Sequence, residues 1–218
     1  MDTNARTDII PSAVKALVNL IPYAGGSISS IISDYQSDRK EKKLKEFLDS
    51  IIMRLQQNEE KLSRISHEYI LNDDFFDIFE NSLRRVIFER QQEKRLAYSN
   101  ILANSIISEA SYDETEMFQH LVDILTPLHI HILREFTRHS LKQGEDYKVF
   151  HNRVLLAVLP FANNKYDLLL ESIGDLESRN LSQTFLAAFA VFNKSMGMVN
   201  FTDQFVTEKG KRLIMFIS

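Results

Sequence analysis

Asp38–Ile70 reads DRKEKKLKEFLDSIIMRLQQNEEKLSRISHEYI. In it Leu44, Leu48, Ile51, Leu55, Leu62, Ile65 and Tyr69 recur at alternating spacings of four and three, and Asn58 takes the one polar slot in that register. Such spacing places one apolar stripe along a helix, so the stretch predicts a long amphipathic helix with a coiled-coil-like seam for another helix. Asp38–Lys42, Glu41–Lys45 and Glu60–Arg64 add acid-first pairs one turn apart, which support a helix modestly. A cluster of cations at a helix start opposes the macrodipole, so the run RKEKK (Arg39–Lys43) is expected inside a helix that begins earlier, near Ser27 or Ser29. The stripe of Ile28, Ile31 and Tyr35 lies half a turn away from the seam, however, so a break or kink is expected near Gln36.

Downstream, Asn72, Asp73 and Asp74 form a turn and N-cap signal. Phe76, Phe79, Leu83, Val86 and Ile87 then restart the helical period, and Ala97, Tyr98 and Ile101 continue its phase. The simplest expectation is one return helix reaching about Glu109, forming an antiparallel hairpin with the first. Arg90 and Lys94 interrupt that face and would need partners if buried. Ser111 and Glu114 have capping-box spacing ahead of a third helix, with Phe118, Leu121, Val122 and Leu125 on its apolar face.

Upstream, IIPSAVKALVNLIPYAGGSISSII (Ile9–Ile32) carries Lys15 as its sole charge. Pro22 and Gly25–Gly26 divide it into pieces shorter than the roughly 20 apolar residues a membrane-spanning helix needs. It reads as a helical hairpin capping a core. The alternative is a membrane-active element, with Arg39, Lys40, Lys42 and Lys43 meeting anionic headgroups.

Composition agrees with a helical, soluble chain. Its 218 residues include six Gly and four Pro, too few for a turn-rich sheet fold. The charged fraction of 26% excludes an integral membrane bundle. Fifteen Phe without Trp suggest aromatic wedges between helices. The absence of Cys removes disulfides and thiolate metal sites and fits a cytoplasmic setting. The N-terminus lacks a basic region leading into an apolar core and cleavage site, which speaks against a secretory signal. A net charge of −4 gives no basic surplus for nucleic acid.

In the last third, Thr126–Pro127 reads as an N-cap and first-turn proline opening a helix through His139. Val149–Leu159 suggests a short buried helix stopped by Pro160, and Asn163–Asn164 opens one to about Arg179. LSQTFLAAFAVF, NKSMG and MVNFTDQFV read as two strands with Gly197 at the turn, and Thr207 caps a closing helix, EKGKRLIMFI. LESRNLSQTF resembles the exit from the third helix of a winged helix into its first wing strand, and VTEKGKRLIMFI is similar to the closing helix of that fold. The resemblance implies a winged-helix-like domain over residues 126–217. Its expected reading helix holds Lys165 and Arg179 against Asp167, Glu171, Asp175 and Glu177, and the wing offers Lys194 alone. Phosphates would be repelled rather than held, so DNA reading is disfavoured.

No Gly-rich phosphate loop, nucleophile elbow or HExxH motif occurs. His129 and His131, two residues apart, fall on different helix faces. Glu116, His120 and Asp123 share one face, but a metal would need a second helix, such as that of Asp73, Asp74 and Asp77; a solvated stripe is the simpler reading. The expectation is a non-enzymatic protein without metal or cofactor.

One resemblance spans the middle of the chain. RLAYSNILANSI (Arg95–Ile106) followed by MFQHLVDILTPLHIHIL (Met117–Leu133) resembles the core of bacterial proteins of the abortive-infection alpha type. Tyr98, Leu102, Ala103, Asn104, Phe118, Leu125, Thr126 and Pro127 carry it, with Tyr98 where that pattern usually has tryptophan. It implies a helical protein linked to phage defence and carries over no catalytic residue. The chain is thus expected to be mainly α: an apolar segment over 1–36, a long-helix hairpin or bundle over 37–125, and a winged-helix-like domain with a small β-hairpin over 126–218. Its expected role is a cytoplasmic interaction protein that forms a homo-oligomer or binds a protein partner through Leu44, Leu48, Ile51, Leu55, Leu62, Ile65 and Tyr69. The alternatives are a membrane-peripheral, membrane-perturbing effector using residues 9–36, and a winged-helix DNA-binding regulator.

Overall fold

The computed structural model describes residues 38–58, 69, 72–192 and 202–218. The chain is mainly helical and divides into two compact units. The first runs to Asp123 and includes Phe216–Ser218; the second is Ile124–Met215.

In the first unit, α1 (Asp38–Gln57), α2 (Asp73–Phe88), α3 (Gln92–Ser108) and α4 (Tyr112–Ile124) build one core. α1 packs chiefly against α3 and also against α2. Leu44, Phe47, Ile51 and Leu55 supply its buried face, and Asn58 ends it by donating Nδ2 to Arg54 O at 2.9 Å. Asn72 caps α2, accepting from Asp74 N at 3.2 Å, as its sequence position predicts. Ser111 likewise accepts from Glu114 N at 3.3 Å at the head of α4.

α3 is the central element, with Ala97, Tyr98, Ser99, Ile101, Leu102, Ala103, Ser105 and Ile106 all buried. Its small residues let neighbouring helices approach on several sides. The Ser99 and Ser105 hydroxyls are accommodated there because they bond back to Leu96 O and Leu102 O, each at 2.8 Å.

The expected single return helix is in fact two. Glu89 and Gln91 are extended, separating α2 from α3. Contacts from both outside and within the segment hold the break. Lys43 Nζ on α1 donates to Ile87 O at 3.0 Å and Glu89 O at 2.6 Å, and Arg95 Nη1 donates to Arg90 O at 3.0 Å. Cations thus satisfy carbonyls that the end of α2 leaves without amide partners, and they complement its negative dipole end.

The second unit contains α5 (Pro127–Arg138), α6 (Tyr147–Val158), a 3₁₀ turn (Leu159–Ala162), α7 (Tyr166–Ser178), α8 (Phe185–Phe192) and most of α9 (Glu208–Ile217). Thr126 and His129 form a capping box at α5, followed by Pro127. Asp146 caps α6 through Lys148 N at 2.9 Å and Val149 N at 3.3 Å. Asn163 and Asn164 both adopt left-handed backbone and make the turn before α7 rather than its first residues. Aromatic wedges fill this core: Phe150 stacks on Phe205 at 4.8 Å and Phe136 on Phe185 at 5.2 Å between ring centroids.

The winged-helix reading is corrected here. The segment expected as the first wing strand forms α8, and no strand occurs among the described residues. FLAAFAVF is apolar at every position, so it lacks the alternation that would define a strand, and Ala187, Ala188 and Ala190 favour a helix. The half-buried Glu177 carboxylate accepts from Leu186 N at 3.2 Å, binding the first turn of α8. Among the described residues the pairing there amounts to one antiparallel bridge, Ser182 with Val206. Gly197 and Lys194 lie outside the described residues, as do the 9–36 segment and the expected break near Gln36.

Candidate functional site

The side chains of the expected seam fill the first unit itself. Leu44, Ile51 and Leu55 are buried in its core and Leu48 is half-buried. Phe47, outside the four–three register, is buried beside them. Tyr69 donates its hydroxyl to Ala110 O at 2.7 Å and packs on Phe75, while Leu62 and Ile65 lie outside the described residues. Over Leu44–Leu55 this face packs against α2 and α3 of the same chain.

The four cations proposed for anionic surfaces separate. Arg39 and Lys42 are exposed, with Lys42 paired to Glu46 at 3.9 Å. Lys40 sits 5.0 Å from the Phe88 ring centroid. Lys43 is committed to the end of α2; burial, then the nearby Arg95 and Arg39, lower its pKa.

The polar centre of the first unit gathers several residues from the stretch that resembles abortive-infection proteins. Tyr98 donates its phenol to one oxygen of Asp123, and Arg85 Nε donates to the other at 2.9 Å. Arg85 also reaches Gln119 Oε1 at 2.7 Å, and Gln119 donates to Ser82 Oγ at 2.6 Å. Lys94, interrupting the apolar face of α3, donates to Asp123 O at 2.8 Å. Burial, reinforced by the Asp123 hydrogen bond and charge, raises the Tyr98 pKa and keeps the phenol a donor. This network connects α2, α3 and α4. Within it the Arg85 and Asp123 charges pair with each other, and the Lys94 ammonium rests on a backbone carbonyl.

Asp123 is therefore committed to Tyr98 and Arg85, while Glu116 and His120 are exposed. Among the described residues no group of three or more His, Cys, Asp or Glu is arranged to hold a metal. His129 Nδ1 accepts from Thr126 N at 3.0 Å, and its Nε2 lies 3.4 Å from Asp175. His131 stacks on Phe161 at 4.6 Å. The two histidines serve different partners.

The surface feature that stands out is the outer face of α6. Phe150, His151, Val154, Leu155 and Val158 face the core. Val149 and Leu156, seven residues apart, project from the opposite side and are 58% and 67% exposed. Asn152 lies between them and is exposed. Arg153, at the edge, is neutralised: Nε and Nη2 meet the two Glu145 oxygens at 3.0 and 2.8 Å, and Nη1 meets His139 Nδ1 at 2.9 Å. Phe161, Tyr166 and Leu168 are further exposed apolar side chains from the following segment. The signal was present in the sequence, since VFHNRVLLAVL is apolar on two faces, but a reading as one buried helix absorbs both.

No family model, curated protein or solved structure matches the chain.

Proposed function

We propose that the protein is a non-enzymatic interaction protein that self-associates through the outer face of α6. The observation carrying this reading is the exposure of Val149 and Leu156 on one helix face whose opposite side is fully used by the core. The two residues are equidistant from the midpoint between Asn152 and Arg153. Two copies of α6 packed antiparallel about a two-fold axis would therefore set Val149 of each against Leu156 of the other. Near the axis the pair would meet as Asn152 and a charge-neutralised Arg153, so self-pairing brings together no uncompensated like charge. Two turns of helix bury little surface, so this association is weak and responds to dilution.

The phage-defence part of the reading rests on the resemblance carried by Tyr98, Asn104, Phe118, Thr126 and Pro127. Sedimentation velocity over a wide concentration range tests the association. The reading expects the mean mass to rise with concentration in the wild type and to stay monomeric in Val149→Asp/Leu156→Asp. A wild type that remains monomeric at high concentration removes it.

A further inference from the structure

α3 presents two carboxamides one helical turn apart, Asn100 and Asn104, to the last carbonyls of α9. Asn104 Nδ2 donates to Phe216 O at 2.8 Å and Asn100 Nδ2 donates to Ile217 O at 3.1 Å. Carbonyls in the last turn of a helix have no amide partner within the helix, so these bonds supply what the backbone cannot. Asn104 is held in this orientation from its other side, because Arg54 Nε on α1 donates to Asn104 Oδ1 at 3.2 Å. The Arg54 guanidinium, partly desolvated, also brings positive charge toward the negative end of the helix dipole. Below the amides the site is apolar. Phe216 is buried with its ring 4.7 Å from that of Phe118, and Ile217 is buried beside it. All of these groups belong to the first unit, which takes in Phe216–Ser218 while α9 up to Met215 belongs to the second.

We propose that Arg54, Asn100, Asn104 and Phe118 form a receptor for the end of an amphipathic helix that finishes in an aromatic–aliphatic pair, filled in cis by Phe216–Ile217 and able to take the same segment from a second copy of the chain. The occupant seen in the site defines the ligand chemistry: two consecutive unpaired carbonyls above two large apolar side chains. A second copy carries the same segment and makes the same contacts, so the choice between cis and trans is set by effective concentration rather than by new chemistry. The grip consists of two carboxamide hydrogen bonds, one ring pair and the burial of the Phe216 and Ile217 side chains. This receptor does not depend on the α6 face, and either can fail without the other.

A fluorescently labelled peptide of residues 206–218, VTEKGKRLIMFIS, tests the receptor against full-length protein. Weakening the resident segment by Phe216→Ala/Ile217→Ala removes its competition, and peptide binding is expected to tighten at least about tenfold over wild type. Adding Asn104→Ala to that variant is expected to weaken binding by roughly tenfold, the effect of one lost hydrogen bond in an apolar surround. Equal affinity of the peptide for wild type and Phe216→Ala/Ile217→Ala, or indifference to Asn104→Ala, overturns the proposal. Should the alanine pair unfold the chain, hydrogen exchange in Asn100→Ala/Asn104→Ala decides instead. Faster exchange over residues 213–217 with the rest of the chain unchanged supports the receptor, and unchanged exchange there overturns it.

Discussion

Lys43 and Glu89 are 46 positions apart, yet the ammonium of the first donates to the carbonyl of the second at 2.6 Å. With its second bond to Ile87 O, this contact ends α2 and lets the chain turn into α3. Replacing Lys43 by Met keeps the aliphatic stem and removes both bonds. The expected cost is about 1–3 kcal/mol, the range for losing bonds from a charged donor to half-buried acceptors. Urea unfolding of the variant beside wild type measures it, and a change within error would mean that water caps α2 equally well.

The Tyr98–Asp123–Arg85 group acts as a unit. Tyr98→Phe removes one donor to the Asp123 carboxylate and is expected to cost about 1–2 kcal/mol. Asp123→Ala leaves both the phenol and the guanidinium without their acceptor and costs more. The double variant is expected to be less destabilised than the sum of the two, because both substitutions break the same bond. Strict additivity in a double-mutant cycle would show that the contact contributes nothing.

Gly210, in the first turn of α9, tolerates no side chain. A Cβ there would lie 2.1 Å from Leu181 O and 2.8 Å from Val206 Cγ2. The carbonyl is held by Thr207, whose backbone N–H and hydroxyl both reach it at 3.2 Å, so it cannot move aside cheaply. Gly210→Ala is expected to cost about 3 kcal/mol or slightly more, the upper range for overpacking, despite alanine's better helix propensity. A thermal melt unchanged from wild type would contradict this packing.

Acid should destabilise the second unit in two stages. His151 is enclosed by Phe185, Phe189 and Phe205, with Nε2 3.3 Å from Phe185 O. Burial lowers its pKa below the ordinary 6.5. The unfolded chain therefore takes up a proton that the folded chain refuses, so stability present above about pH 6.5 declines as pH falls through the folded value. Glu145 is held near 2, first by the Arg153 hydrogen bond and then by Lys142 N, against an ordinary 4.5. Its contribution, present above pH 4.5, is lost as pH falls toward 2. Urea midpoints measured from about pH 8 to about pH 3 should show both limbs, with His151→Gln flattening the upper one. An upper limb that survives His151→Gln would assign it to another group.

What was legible in the sequence was what is decided within a few residues. Asn72 and Thr126 cap helices through bonds to residues two or three positions on, and the same cap chemistry can be read from a string of letters. The division of the return helix was not legible, because part of what holds it is Lys43, far upstream, reaching into a segment whose own period runs unbroken. The strand reading of residues 181–192 failed for a different reason. An apolar run without alternation carries no period, and it is the Ala-rich composition that favours α8. For the surface, spacing alone identified a real apolar stripe in Leu44, Ile51 and Leu55. It could not say that the described part of the stripe packs against α2 and α3 of the same chain, or that Val149 and Leu156 of α6 are left exposed.

The proposed α6 pair can be tested directly because the chain has no native Cys. A single Asn152→Cys substitution places thiols near the proposed two-fold axis, where Cα atoms of an antiparallel pair approach to roughly the 4–7 Å that a disulfide spans. A control, Glu171→Cys, places one exposed thiol on α7. Under mild oxidation the account predicts a disulfide dimer of the Asn152→Cys protein that forms much faster than that of the control and disappears when Leu156→Asp is added. Equal, slow cross-linking of both variants would contradict it.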